Sequence, residues 1–123
     1  MNILIMGPAG SGKSTQAELL AKELNLPHMN AGDILYFASL EETNEAGLIK
    51  EAMEKGELVD STIALRLIER YFEDPAHKDG VVADGFPRTL QEAHELKVPI
   101  DKVFHISVSD IEVKRRLKER ARF

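Results

Sequence analysis

Apolar residues in this chain fall into two rhythms, short unbroken runs and longer stretches that repeat every three or four residues, and the two alternate along its length. Ile3-Leu4-Ile5-Met6 and Val81-Val82-Ala83 have no polar interruption, the mark of strands covered on both faces. Lys13 to Leu24 instead places Ala17, Leu20, Ala21 and Leu24 on one helical face, and Asn25 with Pro27 ends it. Pro27-His28-Met29 leaves room for a short strand. Asn30-Ala31-Gly32-Asp33 reads as a turn into a helix carrying Ile34, Leu35, Phe37, Ala38 and Leu40. Asn44 is the expected cap of the next helix, which stops at Gly56. Glu57-Leu58-Val59 then runs extended to Asp60, the cap of a helix whose Ala64, Leu67, Ile68 and Tyr71 share a face. Thr89 and Glu92 have the spacing of a capping box for a helix to about Leu96; Val103 to Val108 is the last strand, and Ser109 with Glu112 opens the last helix.

Strands that alternate with helices predict an α/β fold with right-handed crossovers, a mostly parallel sheet, and a site at the C-terminal ends of the strands. At 123 residues the chain is long enough for one core, so a single unit spanning 1–123 is expected.

The loop after the first strand carries the strongest chemistry. Gly7, Gly12, Lys13 and Ser14 match G-x-x-x-x-G-K-[ST], a phosphate-binding loop, and they sit between a strand and a helix as that motif requires. Glycines allow successive N–H groups to turn inward on an anion, and the helix that follows points its positive end at the same place. Lys13 adds a mobile charge, and the Ser14 hydroxyl is a ligand for Mg²⁺. Asp84 ends the second apolar run, where a carboxylate can hold the same ion; a plain strand-end turn residue is the other reading.

Charge and composition narrow the partners. The net charge is −5, yet residues 110 to 123 carry six Lys/Arg against three Asp/Glu, a net +3 that leaves −8 on the remainder. An acidic body argues against a general nucleic-acid binder, so the basic end suits a local anionic ligand instead. There is no cysteine, hence no disulfide or thiolate metal site, which fits the cytoplasm. The first apolar run is too short to span a membrane. His28, His77, His94 and His105 show no metal-ligand spacing and read as surface or core filling.

Gly7 to Thr15, Ala31-Gly32-Asp33-Ile34-Leu35, Gly56-Glu57-Leu58-Val59 and Asp84-Gly85-Phe86-Pro87-Arg88-Thr89, in that order, resemble the adenylate kinase family over essentially the whole chain. The resemblance implies a three-layer P-loop kinase fold and transfer of the γ-phosphoryl of ATP to a nucleoside monophosphate, AMP foremost, with Mg²⁺. It implies that Gly10, Ser11, Gly12, Lys13, Ser14 and Thr15 bind ATP, and that Ser14 and Asp84 hold the metal, the carboxylate through water. A helical insert at about 30–59 would close over the monophosphate, with Ala31, Gly32, Tyr36, Glu57, Leu58 and Val59 on one side and Gly85, Phe86, Pro87, Arg88 and Glu92 on the other. Arg88 would grip the acceptor phosphate. Lys13, Arg116 and Arg120 would complete the catalytic charges, Arg116 also against ATP, although a solvated Glu112–Arg116–Arg120 ladder fits the same spacing.

Three departures from the family pattern stand out. Ala31 and Tyr36 replace a threonine and an arginine, and no arginine precedes Arg66. Glu92 replaces a glutamine against the base; a carboxylate only accepts, which suits guanine better than adenine, while its capping-box role is the plainer reading. The resemblance ends at Phe123, where the family begins its lid, so the lid and last strand are expected to be missing and the strand over 103–108 to offer an open edge for a second copy or strand exchange. A nucleotide-binding or assembly module without turnover, and another small-molecule P-loop kinase, are the alternative functions. Losing one charge-assisted contact at the acceptor costs about 1.5–3 kcal/mol, about tenfold or more in affinity. Calorimetry should therefore show AMP binding more weakly than ATP, and equal affinities would refute this.

Overall fold

The structure is a computed structural model that describes residues 1–8 and 10–106. Four strands, β1 (Asn2–Met6), β2 (His28–Asn30), β3 (Val81–Asp84) and β4 (Lys102–His105), form one sheet in the order β2-β3-β1-β4. All three pairings are parallel, with helical crossovers supplying the connections. Helix α1 (Lys13–Leu24) has the expected bounds, and Asn25 closes it in the left-handed conformation at φ 56°. The other helices are α2 (Ala31–Ser39), α3 (Asn44–Glu54), α4 (Ser61–Glu73) and α5 (Leu90–Glu95).

Alternation along the strands divides the core into two layers. Ile3, Ile5 and Val82 point to one face and pack on Ala17 and Ala21 of α1. Leu4, Val81 and Ala83 point to the other and pack with Leu65, Ile68 and Phe72 of α4, joined by Met29, Ala31 and Phe86. The result is the three-layer P-loop kinase fold.

Several details differ from the sequence expectation. Thr43, not Asn44, caps α3, its Oγ1 accepting the Ala46 N–H at 3.0 Å. Helix α2 starts at Ala31 directly after β2, with Asn30 as its cap and no intervening turn. The buried face of α4 is Ala64, Leu65, Ile68 and Phe72, because the helix covers the sheet on one side and meets α5 on another; Leu67 and Tyr71 stay half-buried. Leu24 is exposed rather than part of the α1 face. Strand β4 spans 102–105 and all four of its residues are exposed, since it pairs only with β1 among the described residues. The structure supports no particular partner for that edge. The helix expected from Ser109, with Arg116 and Arg120, lies outside the described residues. No helix among those described is long and apolar enough to cross a membrane.

Ile68 is about 1% exposed between α4 and the sheet. Urea unfolding of Ile68→Ala should show a loss of about 2–5 kcal/mol. Leu48→Ala, at an exposed site on α3, should stay within about 0.5 kcal/mol of the parent.

Candidate functional site

Strand register gathers the site at one end of the sheet. Ile5 on β1 and Asn30 on β2 both stand beside Asp84, so the residues following three strands meet around one carboxylate. The loop after β1 turns through left-handed glycines, Gly10 at φ 81° and Gly12 at φ 85°, conformations that a side chain would strain. Gly12 leads directly into α1, so Lys13 and Ser14 occupy its first turn. That is where exposed N–H groups and the helix dipole favour an anion.

Asp84 is 0% exposed, and a carboxylate without water needs donors from the protein. It has three. Ser14 Oγ donates to Oδ1 at 2.9 Å, Asn30 Nδ2 donates to the same oxygen at 2.7 Å, and His28 Nε2 pairs with Oδ2. Against an ionised carboxylate the ring nitrogen is the donor. The other end of the Asn30 amide, Oδ1, accepts the Asp33 N–H at 3.1 Å and caps α2. One side chain thus ties α2 to the carboxylate beside the loop that follows β1. His28 and Asn30 are the residues that sequence reasoning missed. Nothing local marks them; their role comes from a pairing 56 and 54 residues distant in the chain.

The oxygen donors fit a magnesium ion. The Ser14 hydroxyl is a hard donor backed by the buried Asp84 carboxylate, which would act through water, and no cluster of three or more His, Cys, Asp or Glu among the described residues offers a closed cage. Mg²⁺ keeps several waters and relies on one or two carboxylates plus substrate phosphates, which this pair can serve.

Two neighbouring clefts open beside this network. One, about 230 Å³, is lined by Lys13, Ile5, Met6 and Gly7 on the loop side and by Gly85, Phe86, Pro87 and Arg88 on the other. The second, about 80 Å³, lies between Arg88, Gly85, Phe86 and Glu92 and the residues Ala31, Gly32, Leu35, Glu57, Leu58 and Val59. Gly85, Phe86 and Arg88 line both, so the clefts share a wall. Arg88 is steadied by its own loop, Nε donating to Gly85 O at 2.9 Å. Gly85 itself sits at φ 80°, a left-handed conformation that a side chain would strain, so glycine suits this turn.

The structure therefore brings together Gly12, Lys13, Ser14, Asp84 and Arg88, and beside them Ala31, Gly32, Glu57, Leu58, Val59, Phe86, Pro87 and Glu92. Ser11 is buried within the loop and Thr15 is exposed. Tyr36 does not join them. It is 51% exposed, lies edge-on to Phe37 at 5.7 Å between ring centres, and lines an open hollow between α2 and α3 with Leu40, Glu42 and Lys50. Glu92 lines the smaller cleft, yet both its oxygens already hold protein donors, Arg88 N–H at 3.0 Å and Ser61 Oγ at 3.2 Å. Arg116 and Arg120 lie outside the described residues.

A parallel sheet with its phosphate loop after the central β1, an acidic strand end next to it, and a basic residue across the cleft define a P-loop kinase domain. Comparison with known proteins makes the class narrower. The family described as Adenylate kinase matches residues 5–121. Relatives named adenylate kinase include those of Desulforamulus reducens, 39% identical over 88% of this chain and 54% of the relative, and of Methanothrix thermoacetophila, 39% identical over 98% and 59%. That of Carboxydothermus hydrogenoformans matches at the same 39% identity, again over 98% of the chain and 59% of its own length. The chain belongs to the adenylate kinase family. It spans between half and three-fifths of the length of these relatives.

The Asp84 network generates a direct test. Removing the His28 ring leaves one buried carboxylate oxygen short of a donor, which should lower stability by about 1–3 kcal/mol. Urea denaturation of His28→Ala measures it, and an unchanged midpoint would return His28 to the role of surface filling.

Proposed function

We propose that the chain carries the phosphotransfer core of an adenylate-kinase-type enzyme, moving the γ-phosphoryl of ATP to a nucleoside monophosphate, AMP foremost. The observation that carries this reading is the cleft lined by both Lys13 and Arg88, which shares a wall with the smaller cleft under the insert. Phosphoryl transfer asks a protein mainly for positioning and charge. Gly10 to Thr15 would hold the donor phosphates, and Lys13 would follow the transferred group. Arg88, a planar fork, would chelate two oxygens of the acceptor phosphate as lysine cannot. Ser14 and Asp84 would hold the metal, which when bound neutralises the charge on the donor phosphates. The walls of the smaller cleft, Leu35, Val59 and Phe86 among them, would receive the base. Arg116 and Arg120 would add charge at the transferring phosphates. The domain, residues 1–123 with its insert at about 30–59, would work in the cytoplasm on nucleotides, without nucleic acid or membrane.

Ala31 and the outward Tyr36 bring neither hydroxyl nor cation to the acceptor, which favours low turnover and gives a second reading some footing: nucleotide binding without catalysis. A coupled assay of ATP–Mg²⁺ with AMP, GMP, CMP and UMP, beside Lys13→Met, separates the two. Diphosphate formation abolished by Lys13→Met supports the kinase, with AMP the preferred acceptor. ATP binding with no diphosphate from any acceptor supports the binding module.

A further inference from the structure

We infer that Glu92 is the positioning residue of the acceptor cleft, its buried carboxylate tying the backbone of Arg88 to the head of α4 and so fixing the distance between the two walls. The inference rests on the reading of Arg88 as the acceptor's phosphate ligand.

Glu92 is only 3% exposed, and none of the ion pairs among the described residues includes it. Its charge is held by neutral donors. Oε1 accepts from the Arg88 N–H at 3.0 Å, and Oε2 accepts from Ser61 Oγ at 3.2 Å. Ser61 Oγ is in turn 3.0 Å from Thr89 Oγ1, which accepts the Glu92 N–H at 3.1 Å. Because an ionised carboxylate only accepts, the proton directions follow: the Ser61 hydroxyl points at Glu92, and the Thr89 hydroxyl points at Ser61. Such a chain is charge-assisted and each bond strengthens the next.

The placement of the two donors is what gives the carboxylate its task. Arg88 belongs to the loop wall of the cleft, and its guanidinium is already steadied on Gly85 O. Ser61 follows Val59 by two residues, and Glu57, Leu58 and Val59 form the opposite wall. One carboxylate therefore holds both sides of the space in which a phosphate and its base would sit. The cap of α5 does not explain it. That cap is made by Thr89 Oγ1 on the Glu92 backbone N–H, which survives any change of the Glu92 side chain. A reacting group displaced by even about 1 Å loses much of its advantage, so a tie of this kind acts on acceptor binding and not on the phosphate loop.

Calorimetry of the whole chain with AMP and with ATP–Mg²⁺, together with hydrogen exchange at the Arg88 amide, tests the inference. In Glu92→Ala, AMP affinity should fall about tenfold or more while ATP affinity holds, and the Arg88 amide should exchange faster. Glu92→Gln should restore both, its amide oxygen accepting from Arg88 and its NH₂ donating to Ser61. Ser61→Ala reads the tie from its other end, with a smaller loss in the same direction, and serves where Glu92→Ala does not fold. Unchanged AMP affinity and Arg88 exchange in Glu92→Ala overturn the inference, as does an equal loss of AMP and ATP. A Glu92→Gln chain as impaired as Glu92→Ala also overturns it, because the carboxylate would then touch the ligand itself. If the parent chain binds ATP but no AMP, the functional reading fails instead, and exchange at the Arg88 amide still decides whether Glu92 holds the loop.

Discussion

A carboxylate cut off from water must be surrounded by donors or it destabilises the fold, and Asp84 meets that demand with three donors, one from α1 and two from β2. Ser14 comes from the start of α1, Asn30 and His28 from the two ends of β2. The carboxylate thereby fixes how the start of α1, the sheet and α2 sit against one another. Its cost is large if any partner is withdrawn, because the others cannot move to compensate. The Asn30 amide shows this most clearly, since the group that bonds Asp84 at one end caps α2 at the other.

From that anchor the rest of the site follows by short steps. Asp84 leads at once into Gly85, whose left-handed backbone turns the chain so that Phe86 is buried and Arg88 reaches the cleft opposite Lys13. Glu92 then joins the backbone of Arg88 to α4. Two buried carboxylates thus brace the backbone that carries the cleft's cations, Asp84 through the first turn of α1 beside Lys13 and Glu92 through the Arg88 N–H. On the proposed reading this is the arrangement phosphoryl transfer needs: fixed positive charges, set before the phosphates arrive.

What was legible in the sequence was local. The buried runs of β1 and β3, the bounds of α1 and its Asn25 stop are all specified by residues within one turn or strand, and the structure has them as expected. Choices between equivalent neighbours were not legible. Thr43 and Asn44 are both good caps, and the residue types alone do not choose between them; the structure uses Thr43. On α4 the apolar stripe is broad enough to rotate by one residue, so the buried face could only be read from what covers it. Long-range polar pairing was invisible: His28 had no spacing to mark it, and Glu92 looked like half of a capping box while its return bonds go to Arg88 and Ser61. The strand expected over 103–108 reads as an open edge, and among the described residues β4 pairs only with β1 and ends at His105, with Val103 and Phe104 exposed.

The most direct test is a crystal structure of the chain grown with ATP analogue, Mg²⁺ and AMP together. The account predicts donor phosphates on the Gly10 to Thr15 loop with Lys13 on the terminal one, the AMP phosphate on Arg88, and Asp84 still bonded to Asn30 and His28. A monophosphate found outside the cleft between Lys13 and Arg88, or an Asp84 released from its partners with the site still filled, would contradict it.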